Sequence, residues 1–127
     1  MNLAFRIVPM ATVMGTIFLL SHQPGDTLHL PTFPGSDKVA HMVAYATLAL
    51  TVLWFLGKRG LEQKKTTLLW TVCFCLLYGL SDEFHQSFIP HRSVSGWDIV
   101  ADVTGAAVIA ALWFFNTQVR QKLSVLA

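Results

Sequence analysis

Four of the seven acidic residues of this 127-residue chain fall within the stretch 81–102: Asp82, Glu83, Asp98 and Asp102. His85, His91, Gln86 and Arg92 lie among them, and apolar runs flank the stretch on both sides. Carboxylates and imidazoles move protons or hold cations, and a guanidinium fork grips a carboxylate or a phosphate in bidentate fashion. Charges placed between apolar runs are expensive and call for partners or a function. A second group lies upstream. Asp37, His41 and Tyr45 recur at a spacing of four, which puts them on one helical face, with Lys38 adjacent. Glu83 and Gln86 share a face of one helix, as do Asp98, Asp102 and Gly105 of the next.

The elements that position these groups read as membrane helices. Hydrophobic residues make up 54% of the chain, charged residues only 13%, and mean hydropathy is +0.53. A soluble domain carries about 25% charged residues. The length fits one domain, 1–127. A net charge of +2 is too small to suggest a nucleic-acid partner. Cys73 and Cys75 lie two apart in an apolar run, where a helix projects them about 200° apart, so they cannot bridge each other.

Four apolar helices are expected, over about 3–20, 37–57, 66–88 and 97–116. The first is read as retained, because no small-residue cleavage site follows it. Ser36 is the expected N-cap of the second, and 58–65 a basic turn. A loop containing His22, Pro24, His29, Pro31 and Pro34 joins the first two. Ser95 and Asp98 suggest a variant capping box at the start of the fourth, whose Ala101, Gly105, Ala106 and Ala110 suit close helix packing in lipid. The chain from Asn116 reads as a polar tail. With four spans, one side holds seven Lys and Arg (Arg6, Lys58, Arg59, Lys64, Lys65, Arg120, Lys122) and the other holds two (Lys38, Arg92). That asymmetry predicts both termini in the cytoplasm and the polar cluster outside. Trp54, Trp70 and Trp113 then fall at the inner boundary and Trp97 at the outer one.

The span 66–80 covers only about 22 Å against a hydrocarbon core of about 30 Å, so the carboxylates that follow it sit near or within the outer leaflet. The ordered set Ser21-x-x-Pro24, Asp37-Lys38-x-x-His41-x-x-x-Tyr45, Asp82-Glu83-x-x-Gln86, Arg92, Asp98, Asp102 and Gly105 resembles the VanZ family over nearly the whole chain. Many members carry Asn where this chain has Asp102. The resemblance implies a multi-pass protein of the bacterial cytoplasmic membrane. It also implies a setting in the cell envelope, because the family is named for a protein linked to low-level teicoplanin resistance, but it brings no established reaction.

The residues leave several chemistries open. Lys38, His41 and Arg92 could hold an anionic group, oriented by Glu83, Asp98 and Asp102 with Gln86 beside them. The ligand would then be a membrane lipid or a lipid-linked cell-wall precursor. Glu83 and His41 are the candidate catalytic acid and base, although no familiar catalytic signature is present. The spacing of the carboxylates and histidines matches no metal motif, so neither a metal nor another cofactor is expected. Proton-coupled transport would call for a homo-oligomer, since four short helices make a small transporter. The bland alternative is a non-catalytic scaffold, with Arg92 bridging Glu83 and Asp98, His41 satisfying Asp102, and the network locking the helices together.

Overall fold

The computed structural model describes residues 3–27 and 33–126, so His29 and Pro31 of the first loop lie outside the described residues, as do the side chains of Lys58 and Arg59. The described elements are all helices: α1 (Leu3–Ser21), α2 (Ser36–Glu62), α3 (Lys64–Gln86), α4 (Gly96–Phe115) and α5 (Thr117–Leu126). Three segments are long and apolar enough to cross a membrane, Ser36–Gly57, Lys64–Gln86 and Gly96–Phe115, and α1 adds the shorter apolar helix Phe5–Ser21. The protein is a helical membrane bundle. Its outward-facing side chains include Leu19, Leu69, Leu77 and Phe84, as a lipid solvent requires.

Helix α2 is the hub and touches each of the other helices. Its most extensive partner is α4. The small residues of α4 make that approach close: a Cβ at Gly105 would stand 2.1 Å from the carbonyl oxygen of Met42. In lipid, tight backbone approach of this kind holds helices together through dispersion contacts. Tyr45, Leu48, Ala49 and Val52 of α2 form the core with Ile17, Cys75 and Ala106.

Several boundaries differ from expectation. The basic segment 58–65 is helical: α2 bends at Gly57 (φ 52°, ψ −134°) and continues to Glu62, leaving Gln63 alone to join it to α3. Lys, Arg, Leu and Glu are good helix formers, so basic character alone does not make a turn. Helix α3 accordingly starts and stops two residues before the expected 66–88. Gly35, in the left-handed region at φ 82°, is the N-cap of α2 in place of Ser36, which begins the helix itself.

The polar tail also folds. Asn116 Oδ1 accepts the backbone N–H groups of Gln118 and Val119 at 3.0 and 3.2 Å and so caps α5. Arg120 is buried and donates to the carbonyl of Phe114 at 2.6 Å, capping the end of α4. Trp70 and Trp97 are exposed, as a belt requires, but Trp113 is a core residue, facing inward beside the α4 small-residue face. Cys73 and Cys75 are both free thiols.

Candidate functional site

The first turns of α2 and α4 lie side by side and pair their charges. Lys38 Nζ bonds Asp37 Oδ2 at 2.7 Å and reaches across to Asp98 Oδ1. One turn deeper, His41 Nδ1 meets Asp102 Oδ1 at 2.8 Å. Asp102 is 0% exposed, and its second oxygen, Oδ2, has no hydrogen-bond partner among the described residues. It is packed against Gly79, where a Cβ would stand 2.8 Å from that oxygen. The pairing of His41 with Asp102 follows the scaffold reading of the sequence. Asp98 takes Lys38 in place of the expected Arg92.

Helix α3 contributes two acids with different partners. Asp82 Oδ2 accepts from Ser21 Oγ at 2.9 Å and from Gln86 Nε2 at 3.1 Å, tying α3 to the end of α1. Glu83 is 3% exposed. Its Oε2 accepts the backbone N–H of Ser95 at 3.2 Å, and its Oε1 has no partner among the described residues. Ser95 is the N-cap of α4, and its own side chain accepts from Trp97 N at 3.3 Å. The expected capping box is therefore completed by Glu83 from another helix, which leaves Asp98 for Lys38.

Arg92 does not bridge Glu83 and Asp98. Its Nη2 donates to the carbonyl of Leu20 at 2.6 Å and its Nε to that of Gln23 at 3.0 Å. Those carbonyls lie in the last turn of α1 and just beyond it, where a cation is favoured. The same latch includes a bond from Gly25 N to Pro90 O at 3.2 Å. A Cβ at Gly25 would lie 1.8 Å from His91 O, so only glycine fits that contact. His22 lies beyond the end of α1 with its Nδ1 3.1 Å from His85 Nε2, a contact the reading of His22 as a plain loop residue does not contain.

A cavity of about 120 Å³ opens between α1, α2 and α3, with Ser21, Asp37, His41, Tyr45, Asp82, Gln86 and Arg92 supplying its polar wall. The Tyr45 hydroxyl, buried in that wall, has no partner among the described residues. Of the seven site residues expected from sequence, His41, Gln86 and Arg92 line the cavity. Lys38, Glu83, Asp98 and Asp102 form the charged layer beside it, and His41 belongs to both groups. Ser21, Asp37, Asp82 and Tyr45 join the site without having been assigned to it. Their signal was there: Ser21, Asp37 and Tyr45 stand within the quoted motif, and Asp82 sits one full turn before Gln86. The fold also gathers ligand atoms of His41, Glu83 and Asp98 to within 4.8 Å of one another. Spacing along the chain hides this because the three residues come from three helices.

Comparison with known proteins agrees with this architecture. No solved structure matches the chain. An uncharacterised protein of the fission yeast Schizosaccharomyces pombe, C11E3.10, is 32% identical over 97 residues, which cover 76% of this chain and 57% of that protein. The chain thus spans little more than half the length of that relative, whose source also shows that similar sequences occur outside bacteria. The family model described as VanZ/LLP1 matches residues 3–117. This multi-pass membrane protein therefore belongs to the VanZ/LLP1 family.

Proposed function

We propose that the polar end of the bundle binds the anionic head of a membrane amphiphile, a phospholipid or a lipid-linked envelope precursor, that enters sideways between α1 and α2. One observation carries this reading. The polar cavity adjoins an apolar groove on the α1–α2 face through the shared residues Ile17, Leu20, Ala40 and Ala44. The groove is about 520 Å³ and runs along Val13, Val43 and Thr47. A head in the cavity and a chain in the groove match the two halves of one amphiphile. Arg92 supports the anionic head. Two of its five donors are held by the carbonyls of Leu20 and Gln23 at and just beyond the end of α1, which orients the fork and leaves the others without a hydrogen bond among the described residues.

The Lys and Arg asymmetry of the sequence supports an orientation with this end outside the cytoplasm. In a bacterium the site would meet the outer leaflet, where lipid-linked cell-wall intermediates and glycopeptides meet. A link to teicoplanin tolerance, which the family resemblance suggests, is checked by the inhibitory concentration of a susceptible strain expressing the chain.

The test of binding is native mass spectrometry of the gently solubilised protein beside Ala44→Leu. Ala44 lines both cavity and groove and makes no polar contact, so the larger side chain fills the passage without touching the network. Retention of a defined anionic lipid by the wild type, and its loss from a normally folded Ala44→Leu protein, is the expected result. Equal retention by both sinks the reading. A wild type that retains nothing favours the second reading, a scaffold. That reading has its own support, since the Lys38–Asp98, His41–Asp102 and Ser21–Asp82 pairs each join two helices.

A further inference from the structure

The charged layer beside the cavity holds more acid than base. Asp82, Glu83, Asp98 and Asp102 are all buried, while the basic side chains in direct contact with them are Lys38 and His41. Arg92 gives its side-chain hydrogen bonds to backbone carbonyls. Buried carboxylates need a proton, a cation or donors, and Glu83 Oε1 has no hydrogen-bond partner among the described residues at 3% exposure. This unsatisfied oxygen belongs to the residue whose ligand atoms lie within 4.8 Å of those of His41 and Asp98.

We propose that His41, Glu83 and Asp98 form a binding site for a divalent transition-metal cation of the Zn²⁺ class. One imidazole nitrogen and two carboxylates make a donor set softer than the all-oxygen cages of Mg²⁺ or Ca²⁺ and free of thiolate. In a tetrahedral zinc site at about 2.1 Å per ligand, donor atoms stand about 3.4 Å apart, so the widest pair must close by about 1.4 Å at most. Side-chain rotation covers such a distance. The surroundings fit this role. Asp102 holds Nδ1 of His41, which leaves Nε2 for the cation and sets the ring's orientation, the carboxylate–histidine–metal arrangement. Lys38 already bonds Asp37 as well as Asp98, so it keeps a partner when a cation takes Asp98. His41 also lines the cavity, which offers a path of entry. The inference rests on the charged layer and not on the groove, and it shares only His41 and the cavity with the lipid reading.

Tag-free full-length protein in detergent, stripped with a chelator, is titrated with Zn²⁺ by calorimetry and with Co²⁺ by visible absorption. The expected result is one Zn²⁺ per chain and a Co²⁺ d–d spectrum distinct from that of the aqueous ion. Glu83→Gln keeps the acceptor for Ser95 and is expected to lose stoichiometric binding, while Asp102→Asn weakens affinity by about 10–100-fold. Lys38→Met, which removes the competing cation, should bind at least as tightly as the native chain. No Co²⁺ spectrum and no Zn²⁺ heat in the native protein overturns the site without reference to any variant. Native affinity in Glu83→Gln overturns it as well.

Discussion

The Glu83 carboxylate on α3 accepts the backbone N–H of Ser95 at 3.2 Å, so it caps a helix to which it does not belong. In an ordinary capping box the residue at N3 performs this task. Here Asp98 occupies N3 and is spent on Lys38 instead. One substitution pair separates the cap from the charge. Glu83→Ala removes the acceptor and should lower stability in detergent by about 1–2 kcal/mol. In chelator, Glu83→Gln should be at least as stable as the native protein, because it keeps the acceptor and removes a buried charge whose Oε1 is unpartnered. Thermal unfolding followed by circular dichroism reads both. A Gln variant that falls as far as the Ala variant would mean that ionisation, not capping, is what the fold uses.

The His41–Asp102 pair predicts a graded series. Asp102→Asn retains an acceptor 2.8 Å from Nδ1 in a neutral group of nearly the same shape, so the metal-free fold should tolerate it within about 1 kcal/mol. Asp102→Leu leaves the imidazole N–H unsatisfied and should lower stability by about 1–3 kcal/mol. The unfolding midpoints of the two variants decide this, and equal losses would show that packing against Gly79 outweighs the hydrogen bond.

Much of the bundle is legible in the chain because lipid demands long apolar helices, and three such segments stand out by length and hydropathy. The face spacing of Asp37, His41 and Tyr45 likewise carries through to the folded site. What the chain conceals is pairing between helices. Arg92 is the only arginine between α3 and α4, which made a carboxylate its obvious partner, yet backbone carbonyls at and just beyond the end of α1 take it. Carbonyls have no sequence signature. Trp113 departed from expectation for a related reason: belt rules describe averages over many helices, whereas here Trp113 is a core residue near the end of α4, which the buried Arg120 of α5 caps.

Gly105 and Gly15 make opposite predictions from the same substitution. A methyl at Gly105 would meet Met42 O at 2.1 Å, and that backbone oxygen cannot yield unless α2 and α4 separate. Gly105→Ala should therefore destabilise by about 1–3 kcal/mol or more. Nothing lies within 4 Å of the position a Cβ would take at Gly15, so Gly15→Ala should be neutral or should stabilise α1 by up to about 1 kcal/mol. Chemical denaturation of the two in the same detergent compares them directly, and a tolerated Gly105→Ala would show that the α2–α4 crossing is looser than described.

The Arg92 latch predicts a local rather than a global loss. Its Nη2 and Nε hold two different carbonyls, those of Leu20 and Gln23, and a lysine ammonium lacks the planar fork that reaches both in fixed geometry. Arg92→Lys keeps the charge near the end of α1 but should lose part of the roughly 1.5–3 kcal/mol that a charge-assisted hydrogen bond contributes. The pairs between α2 and α4 do not involve Arg92, so the rest of the bundle should hold. Hydrogen exchange should then quicken over the last turn of α1 and the turn 22–25 while α2 and α4 keep their native protection. Uniformly faster exchange across all the helices would place Arg92 in the folding core and not in a latch.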